Sequence, residues 1–397
     1  MRVVEFATAA DRDAFLREHA PRVYDELTGG CTESVRVEEL VFRAADQYPG
    51  LVPSREEIAE ERRLRQSQKP GAEIDQGRFL SRVLGHPRSG RHLVHAMLRP
   101  RADALARAAE FRSSGSADLG PATVRREGAI GVVELANLRF LNAEDDAATA
   151  ALETAVDLVL LDPAIEVGVL RGAVVEHPKY AGRRVFNSGI NLTHLYHGQI
   201  SFVNFMMARE MGLLGKVQRG HWLDSDFESC LEDYAEKPWI AAVETHAIGG
   251  GCQLLLVFDR VLAERDAYLT LPARKEGIVP GTSNRRLSRF VGDRLARQLI
   301  MFERRLEVAS PEGRMIVDDV VQPAAMDAAI ARDAAQLVSA GLVSAAANRK
   351  ALRLGLETLD EFRLYQAVYA REQARCLYSP ALIGNLERNW QAHERRL

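Results

Sequence analysis

The stretch Ala247-Ile248-Gly249-Gly250-Gly251-Cys252-Gln253-Leu254 stands close behind the apolar run Trp239-Ile240-Ala241-Ala242-Val243. An apolar run, a glycine cluster and a second apolar run predict strand, tight turn and helix. Glycine has no Cβ, so a ligand can approach the main chain closely there. The first N–H groups of a helix have no partner within it and carry partial positive charge. Such a turn is a candidate cradle for an oxyanion. It is equally a turn that only seats the helix on its strand, and this stretch alone leaves both readings open.

The rest of the chain sets bounds. Its 397 residues allow one large or two ordinary domains. At 47% hydrophobic and 27% charged, it has the material for a sizeable core and no signature of disorder. A net charge of −3 gives no strong field for nucleic acid or a membrane surface. Cys31, Cys230, Cys252 and Cys376 form no CxxC pair, so neither a zinc knuckle nor a disulfide framework is expected. The opening Met1-Arg2-Val3-Val4-Glu5-Phe6 meets Asp11, Arg12 and Asp13 too early for a signal peptide. No apolar run reaches the roughly 20 residues that a membrane helix needs. A soluble, cytoplasmic protein is expected.

Before residue 120, helical spacing dominates. Leu16, Val23 and Leu27, then Val37, Leu40 and Val41, then Phe79, Leu80, Val83 and Leu84 recur at helix-like intervals, as do Leu93, Val94, Met97 and Leu98. Residues 1–110 therefore predict several helices and little strand. The run Ser113-Ser114-Gly115-Ser116-Ala117-Asp118-Leu119-Gly120-Pro121 predicts a linker. Beyond it, strands at 130–135, 166–170, 260–264 and 268–271 alternate with helices. The helix at 144–161 sets Leu152, Ala155, Val156 and Val159 on one face. This alternation argues an α/β fold. Helix returns from about 325. Its stripes (Leu337, Val338, Leu342, Val343, then Leu364, Ala367, Val368) need cover, from a partner subunit or from the chain's own core. The expected organisation is a helical N-terminal domain with linker at 1–120, a core at 121–325 and a helical C-terminal region at 326–397, engaged in oligomer contacts.

A second glycine loop lies upstream: Arg184-Val185-Phe186-Asn187-Ser188-Gly189-Ile190-Asn191. It follows the 166–170 strand and offers the N–H of Ile190. Two backbone donors converging from separate loops are what a developing thioester enolate needs. The order is then strand, the Phe186-x-x-Gly189-x-Asn191 loop, the Gly249–Gly251 turn, and Leu269-Thr270-Leu271-Pro272 leading to Gly277-Ile278-x-Pro280-Gly281. In this ordered set, over roughly 125–325, the chain resembles the crotonase (enoyl-CoA hydratase/isomerase) superfamily. Leu141-Asn142-Ala143 and Arg286-Leu287-x-Arg289-Phe290-Val291-Gly292 resemble two further segments of that family.

The resemblance implies a crotonase-type spiral of ββα units. It also implies a CoA thioester whose carbonyl oxygen lies between the N–H groups of Ile190 and Gly250. Asn142 would lie near the CoA adenine, and Arg183 and Arg184 are candidate phosphate contacts. Trimers, paired into hexamers, are implied as well.

Two departures from the family bear on chemistry. Hydratases of the family handle a water with two glutamates; here those positions hold Gln253 and Ala273. An amide is no general base at neutral pH, and a methyl group moves no proton. Within the family, the long helical N-terminal segment, Gln253, Ala273 and the Phe186–Leu192 loop resemble dioxygenases that act on an arylacetyl-CoA. That resemblance implies an enolate that reacts with O2, with no metal or organic cofactor. Catalysis would then rest on Ile190, Gly250 and Gln253. Glu144, Arg209 and Gln253 are candidate contacts for a hydroxylated ring, and Ile278 is a candidate wall of an oxygen pocket. The base that takes the α-proton is not identifiable. His92-x-x-His95 and His194-x-x-His197 have helical i, i+3 spacing but no third ligand at a fixed interval. Other family reactions on an acyl-CoA (isomerisation, decarboxylation, thioester hydrolysis) stand as alternatives, as does a CoA-binding protein without turnover.

Overall fold

The computed structural model describes residues 6, 8–180, 182–223, 226–228, 234–339 and 341–397. Cys230 and the opening residues 1–5, which entered the expectations above, lie outside the described residues.

The N-terminal third is helical, as its spacing predicts: α1 (Ala9–Leu27), α2 (Val37–Gln47), α3 (Arg55–Glu61), α4 (Glu73–Gly85), α5 (Pro87–Met97) and α6 (Ala102–Ser114). Thr8 and Ser54 cap α1 and α3 with reciprocal capping boxes. The predicted linker is partly a strand. β1 (Ser116–Asp118) pairs antiparallel with β2 (Ala122–Glu127), which pairs antiparallel with β3 (Ile130–Leu135). Then come α7 (Asp146–Leu161), β4 (Val167–Gly172), α8 (Leu192–Tyr196), two π-helical turns (Phe202–Met207 and Arg209–Leu213) and α9 (Leu214–Arg219). A short ribbon follows, β5 (His221–Trp222) with β6 (Tyr234–Ala235), ahead of β7 (Trp239–Val243), β8 (His246–Ile248), α10 (Gly250–Leu254), β9 (Arg260–Glu264) and β10 (Tyr268–Thr270). The chain closes with α11 (Ala273–Glu276), α12 (Ser283–Phe302), β11 (Leu306–Glu307), β12 (Asp319–Val321), α13 (Met326–Ser339), α14 (Leu342–Leu356), α15 (Leu359–Leu377) and α16 (Pro380–Trp390).

The main sheet runs β1-β2-β3-β4-β7-β9-β12 and is parallel from β3 onward. Alternation along its strands divides the core in two. Trp239, Ala241 and Val243 of β7 join α7 and α10 on one face. Ile240 and Ala242 meet Met326, Ala329 and Ile330 of α13 on the other. The second sheet is β11-β10-β8, with β8 parallel to β10.

The sequence predicts one apolar face for α7, but the helix is buried nearly all round. Its charged residues survive there because each has a partner. The Lys216 ammonium lies 2.7 Å from Glu153 and 2.8 Å from Asp157. Arg36, ahead of α2, reaches Glu153 at 2.9 Å.

α15 packs on α4 so closely that a Cβ on Gly77 would lie 2.5 Å from the Ala374 methyl and 2.7 Å from the Ala370 carbonyl oxygen. Its buried face is Phe362, Ala367, Tyr369, Ala370 and Ala374. The stripe expected there is corrected in part, because Leu364 and Val368 face outward. Helical register puts them on the opposite side from Phe362 and Tyr369.

Candidate active site

Two glycine turns meet at the end of β8. Asn187 bridges to Ala247 as a parallel partner, which lays the 186–191 loop along that strand. The Asn187 carboxamide oxygen accepts from Gly189 N at 2.7 Å and sets the turn. Gly189 has φ +80°, and a Cβ there would lie 2.9 Å from the Ile248 carbonyl oxygen and 3.4 Å from Gly250 N. Gly249 has φ +51°. Both positions therefore need glycine. The N–H of Gly249 is taken by Thr270 O at 2.8 Å. Those of Ile190 and Gly250 are donated to no acceptor among the described residues.

Ile190 and Gly250 line one small cavity of about 30 Å³. The π-helical segment gives it Phe205, Met206 and Arg209, α10 gives Gln253, and the segment after β10 gives Glu276 and Ile278. Tyr369 of α15 closes it. A cleft of about 750 Å³ adjoins, and Ile190 and Glu276 line both spaces. The cleft carries aromatic walls in Phe140, Tyr180 and Tyr268, and basic groups in Arg139, Lys179, Lys275 and Arg395.

Arg209 is buried and saturated. Nε and Nη2 grip the two Glu144 oxygens at 2.6 and 2.9 Å. Nη1 donates to Gln253 Oε1 at 2.8 Å and Glu210 Oε1 at 3.1 Å, and Nη2 also donates to Gly250 O at 2.8 Å. All five guanidinium N–H groups are thereby used. Burial disfavours the cation, but the Glu144 carboxylate beside it reverses that, and the pKa is raised. Asn187 Nδ2 adds a third donor to Glu144 at 2.7 Å. Gly250 leaves room for this pair: a Cβ there would lie 2.9 Å from Arg209 Nη2 and from Glu144 Oε1.

Other sequence candidates lie outside the two cavities. Arg183 is held by Glu264 at 2.6 Å and Asp266 at 2.8 Å, and Arg184 pairs with Glu134. Neither lines the cleft, whose basic groups come from other segments. The Asn142 amide donates to Val185 O at 2.7 Å and Ala173 O at 3.2 Å, tying the loops together from behind. His92 bonds the Tyr24 hydroxyl at 2.7 Å, and His194 faces Asp145 at 3.2 Å. Among the described residues, no group of three or more His, Cys, Asp or Glu side chains is placed to hold a metal ion. Nor is any described helix long and apolar enough to cross a membrane.

No local sequence pattern marks Phe205, Met206, Tyr369 and Glu276 as site residues. The first two sit on π-helical turns, a geometry that often marks functional sites but has no distinct residue pattern. Glu276 lies on the same single turn as Ala273. Its carboxylate oxygens are 3.7 and 3.8 Å from the position a Gly249 Cβ would occupy. Burial, with Glu303 adding to it and Lys275 opposing, pushes its pKa up to about 8. At the cleft wall, Ser188 Oγ donates to Leu141 O at 2.6 Å and lies 2.9 Å from His246 Nε2. Burial lowers that imidazole to about 4, with Lys179 contributing.

Comparison with known proteins gives the family and the fold. Enoyl-CoA hydratase/isomerase is the description of the family model that matches residues 125–372. The chain is 48% identical over 377 residues to a (3,5-dihydroxyphenyl)acetyl-CoA 1,2-dioxygenase of Amycolatopsis orientalis, covering 95% of this chain and 86% of that one. It is 28% identical to a crotonyl-CoA hydratase of Syntrophomonas wolfei, over 59% of this chain and 82% of the relative. Among solved structures, an enoyl-CoA hydratase from Mycobacterium avium subsp. paratuberculosis superposes with a TM-score of 0.56 at 20% identity, covering 69% of this chain and 97% of the other. One from Bacillus halodurans gives 0.55 at 17%, covering 68% and 99%. The core is the crotonase fold, and the chain belongs to the enoyl-CoA hydratase/isomerase family.

Proposed function

We propose that this enzyme is a dioxygenase that converts (3,5-dihydroxyphenyl)acetyl-CoA and O2 to 3,5-dihydroxyphenylglyoxylate and CoA, without metal or organic cofactor. The observation that carries the reading is that Ile190 and Gly250, whose N–H groups have no acceptor among the described residues, line one cavity beside a cleft with a basic rim. The identity to the Amycolatopsis dioxygenase supports the choice of reaction within the family.

The substrate's α-carbon lies between an aryl ring and a thioester, so its carbanion is delocalised over both. Two peptide dipoles aimed at the thioester oxygen hold the enolate charge without reorganising. The electron-rich enolate passes an electron to O2, and the radicals combine at the α-carbon. The peroxide attacks the thioester carbonyl and expels CoA, and collapse leaves the α-keto acid. The net balance is RCH2COSCoA + O2 → RCOCOO⁻ + CoASH + H⁺. Ile278, Phe205 and Met206 give the small cavity apolar walls beside that carbon, and its volume suits one small molecule. Arg209 and Gln253 form the polar end for the ring, with Glu144 held behind them by Arg209 and Asn187. Arg209 has no N–H to spare, so a ring hydroxyl meets the Gln253 amide or displaces it from the guanidinium.

In this reading the cleft's own basic groups, with Arg183 and Arg184 behind them, favour the CoA phosphates, and Asn142 braces the loop beside the adenine. The enzyme works in the cytoplasm as a homotrimer or homohexamer, supplying a precursor of the dihydroxyphenylglycine of glycopeptide antibiotics. The helical residues 1–120 and 326–397 flank the 121–325 core and meet each other where α15 packs on α4.

An oxygen electrode with a thiol assay tests it. With (3,5-dihydroxyphenyl)acetyl-CoA, O2 uptake and thiol release in equal amounts, unaffected by EDTA, are expected. Thiol release at an undiminished rate without oxygen would make the protein a thioesterase instead.

A further inference from the structure

We infer that the Glu276 carboxylate is the base that takes the α-proton of the thioester. The inference rests on the reaction proposed above and supplies the proton acceptor which that reaction needs. It stands first on position. Glu276 lines both the cleft through which an acyl-CoA enters and the small cavity that holds Ile190 and Gly250. Its carboxylate oxygens lie beside Gly249, the residue that sets the oxyanion turn. A thioester oxygen held by the Ile190 and Gly250 N–H groups brings its α-carbon next to that carboxylate.

It stands second on elimination among the groups around the two spaces. Glu144 accepts from Arg209 twice and from Asn187. Glu210 accepts from Arg209 and, at 2.8 and 2.6 Å, from the N–H and hydroxyl of Thr282. Glu303 pairs with Lys275 at 3.0 Å. Glu276 alone among these carboxylates has no hydrogen bond or ion pair within the described residues. His246 lines the cleft but not the small cavity, and its Nδ1 is buried. The raised pKa of Glu276 fits the task, because a carboxylate destabilised by burial is a stronger base than one in water.

The step balances. The α-carbon's C–H bond breaks, an O–H bond forms on Glu276, and the electron pair moves into the thioester to make the enolate oxygen. The proton is later delivered to the CoA sulfur as its C–S bond breaks, which restores the carboxylate. The second α-hydrogen leaves as H⁺ when the ketone forms.

Deuterium exchange into (3,5-dihydroxyphenyl)acetyl-CoA in oxygen-free D2O, followed by NMR, reads this step apart from the reaction with O2. The wild-type enzyme is expected to exchange the α-position. Glu276→Gln is expected to slow exchange by about a hundredfold or more, with affinity for free CoA unchanged within about twofold of wild type as measured by calorimetry. Exchange by Glu276→Gln at the wild-type rate would overturn the assignment while leaving the dioxygenase reading intact. Should Glu276→Gln fail to bind CoA, Glu276→Ala decides: lost exchange with intact CoA binding supports the assignment, and exchange at the wild-type rate overturns it. A wild-type enzyme that neither exchanges nor consumes O2 with this thioester would overturn the reaction itself, and the base with it.

Discussion

Arg209 Nη2 donates to the carbonyl oxygen of Gly250 at 2.8 Å, so the buried guanidinium is fastened to a glycine that lines the small cavity. The same guanidinium holds Glu144 and Gln253. Removing it strips a fully buried carboxylate of its cation. Arg209→Ala is expected to cost on the order of 3–5 kcal/mol of stability and to abolish turnover. The double variant with Glu144→Gln should recover part of the stability but little of the activity. Urea denaturation of the single and double variants, with O2 uptake, checks both. Equal stability of Arg209→Ala and wild type would mean that the pair is not coupled.

Gly250→Ala places a methyl group 2.9 Å from both partners of that ion pair. Overpacking of this kind costs about 1–3 kcal/mol. Displacing one donor of the turn should also lower kcat by about 10²-fold or more, with a smaller change in affinity for CoA. Steady-state kinetics and CoA calorimetry on one preparation separate the two effects.

Proton removal should rise with pH. Burial, then Glu303, lift Glu276 to about 8, so below that pH it is mostly protonated and cannot accept a proton. Around it stand Lys275 on its own turn, Glu303 at the end of α12, Arg209 and Glu210 on the π-helical segment and Tyr369 on α15. Anaerobic exchange is expected to climb through pH 8 and level off above it. In Glu276→Gln that rise should disappear.

Ile278→Asn puts an amide into the apolar wall of the small cavity. A polar group there holds water, and a nonpolar gas must displace it. The apparent KM for O2 should rise several-fold at a near-constant KM for the thioester. An unchanged oxygen dependence would leave Ile278 as packing alone.

Glu357 is a structural counterpart. Burial pushes its carboxyl up, but Arg286 at 2.8 Å, with Arg219 and Arg285, holds it down at about 2. A lowered folded-state pKa stabilises above the unfolded value near 4.5 and loses that stabilisation as pH falls toward 2. The contribution is about 3 kcal/mol by linkage. Glu357→Gln should therefore flatten the fall of thermal stability between pH 4.5 and 2 while lowering stability at pH 7.

The sequence made the sheet and the two glycine turns readable, because β3, β4, β7 and β9 are apolar runs and the turns need residues without a side chain. β1 was not readable. Ser116, Ala117 and Asp118 lie on a sheet edge, exposed or half exposed, and three residues with a single apolar one are too short a run to mark a strand. The π-helical turns escaped for another reason: their i→i+5 bonds use the residues that an α-helix would. The Arg209–Glu144 pairing joins residues 65 positions apart, which spacing cannot reveal. Nor does local pattern announce Tyr369, nearly 120 residues beyond Gly250, as a wall of the same cavity. Glu276 was nearer to hand. It stands at i+3 from Ala273 on one helical turn, where the two share a face.

Because Tyr369 and the α15 face against Gly77 come so late in the chain, synthesis of the protein has an order built into it. A nascent polypeptide carries both glycine turns and all its sheet strands well before the ribosome has made the segment that covers α4. Products released early would carry that bare helix face, and chaperones or proteases would find them before any substrate did.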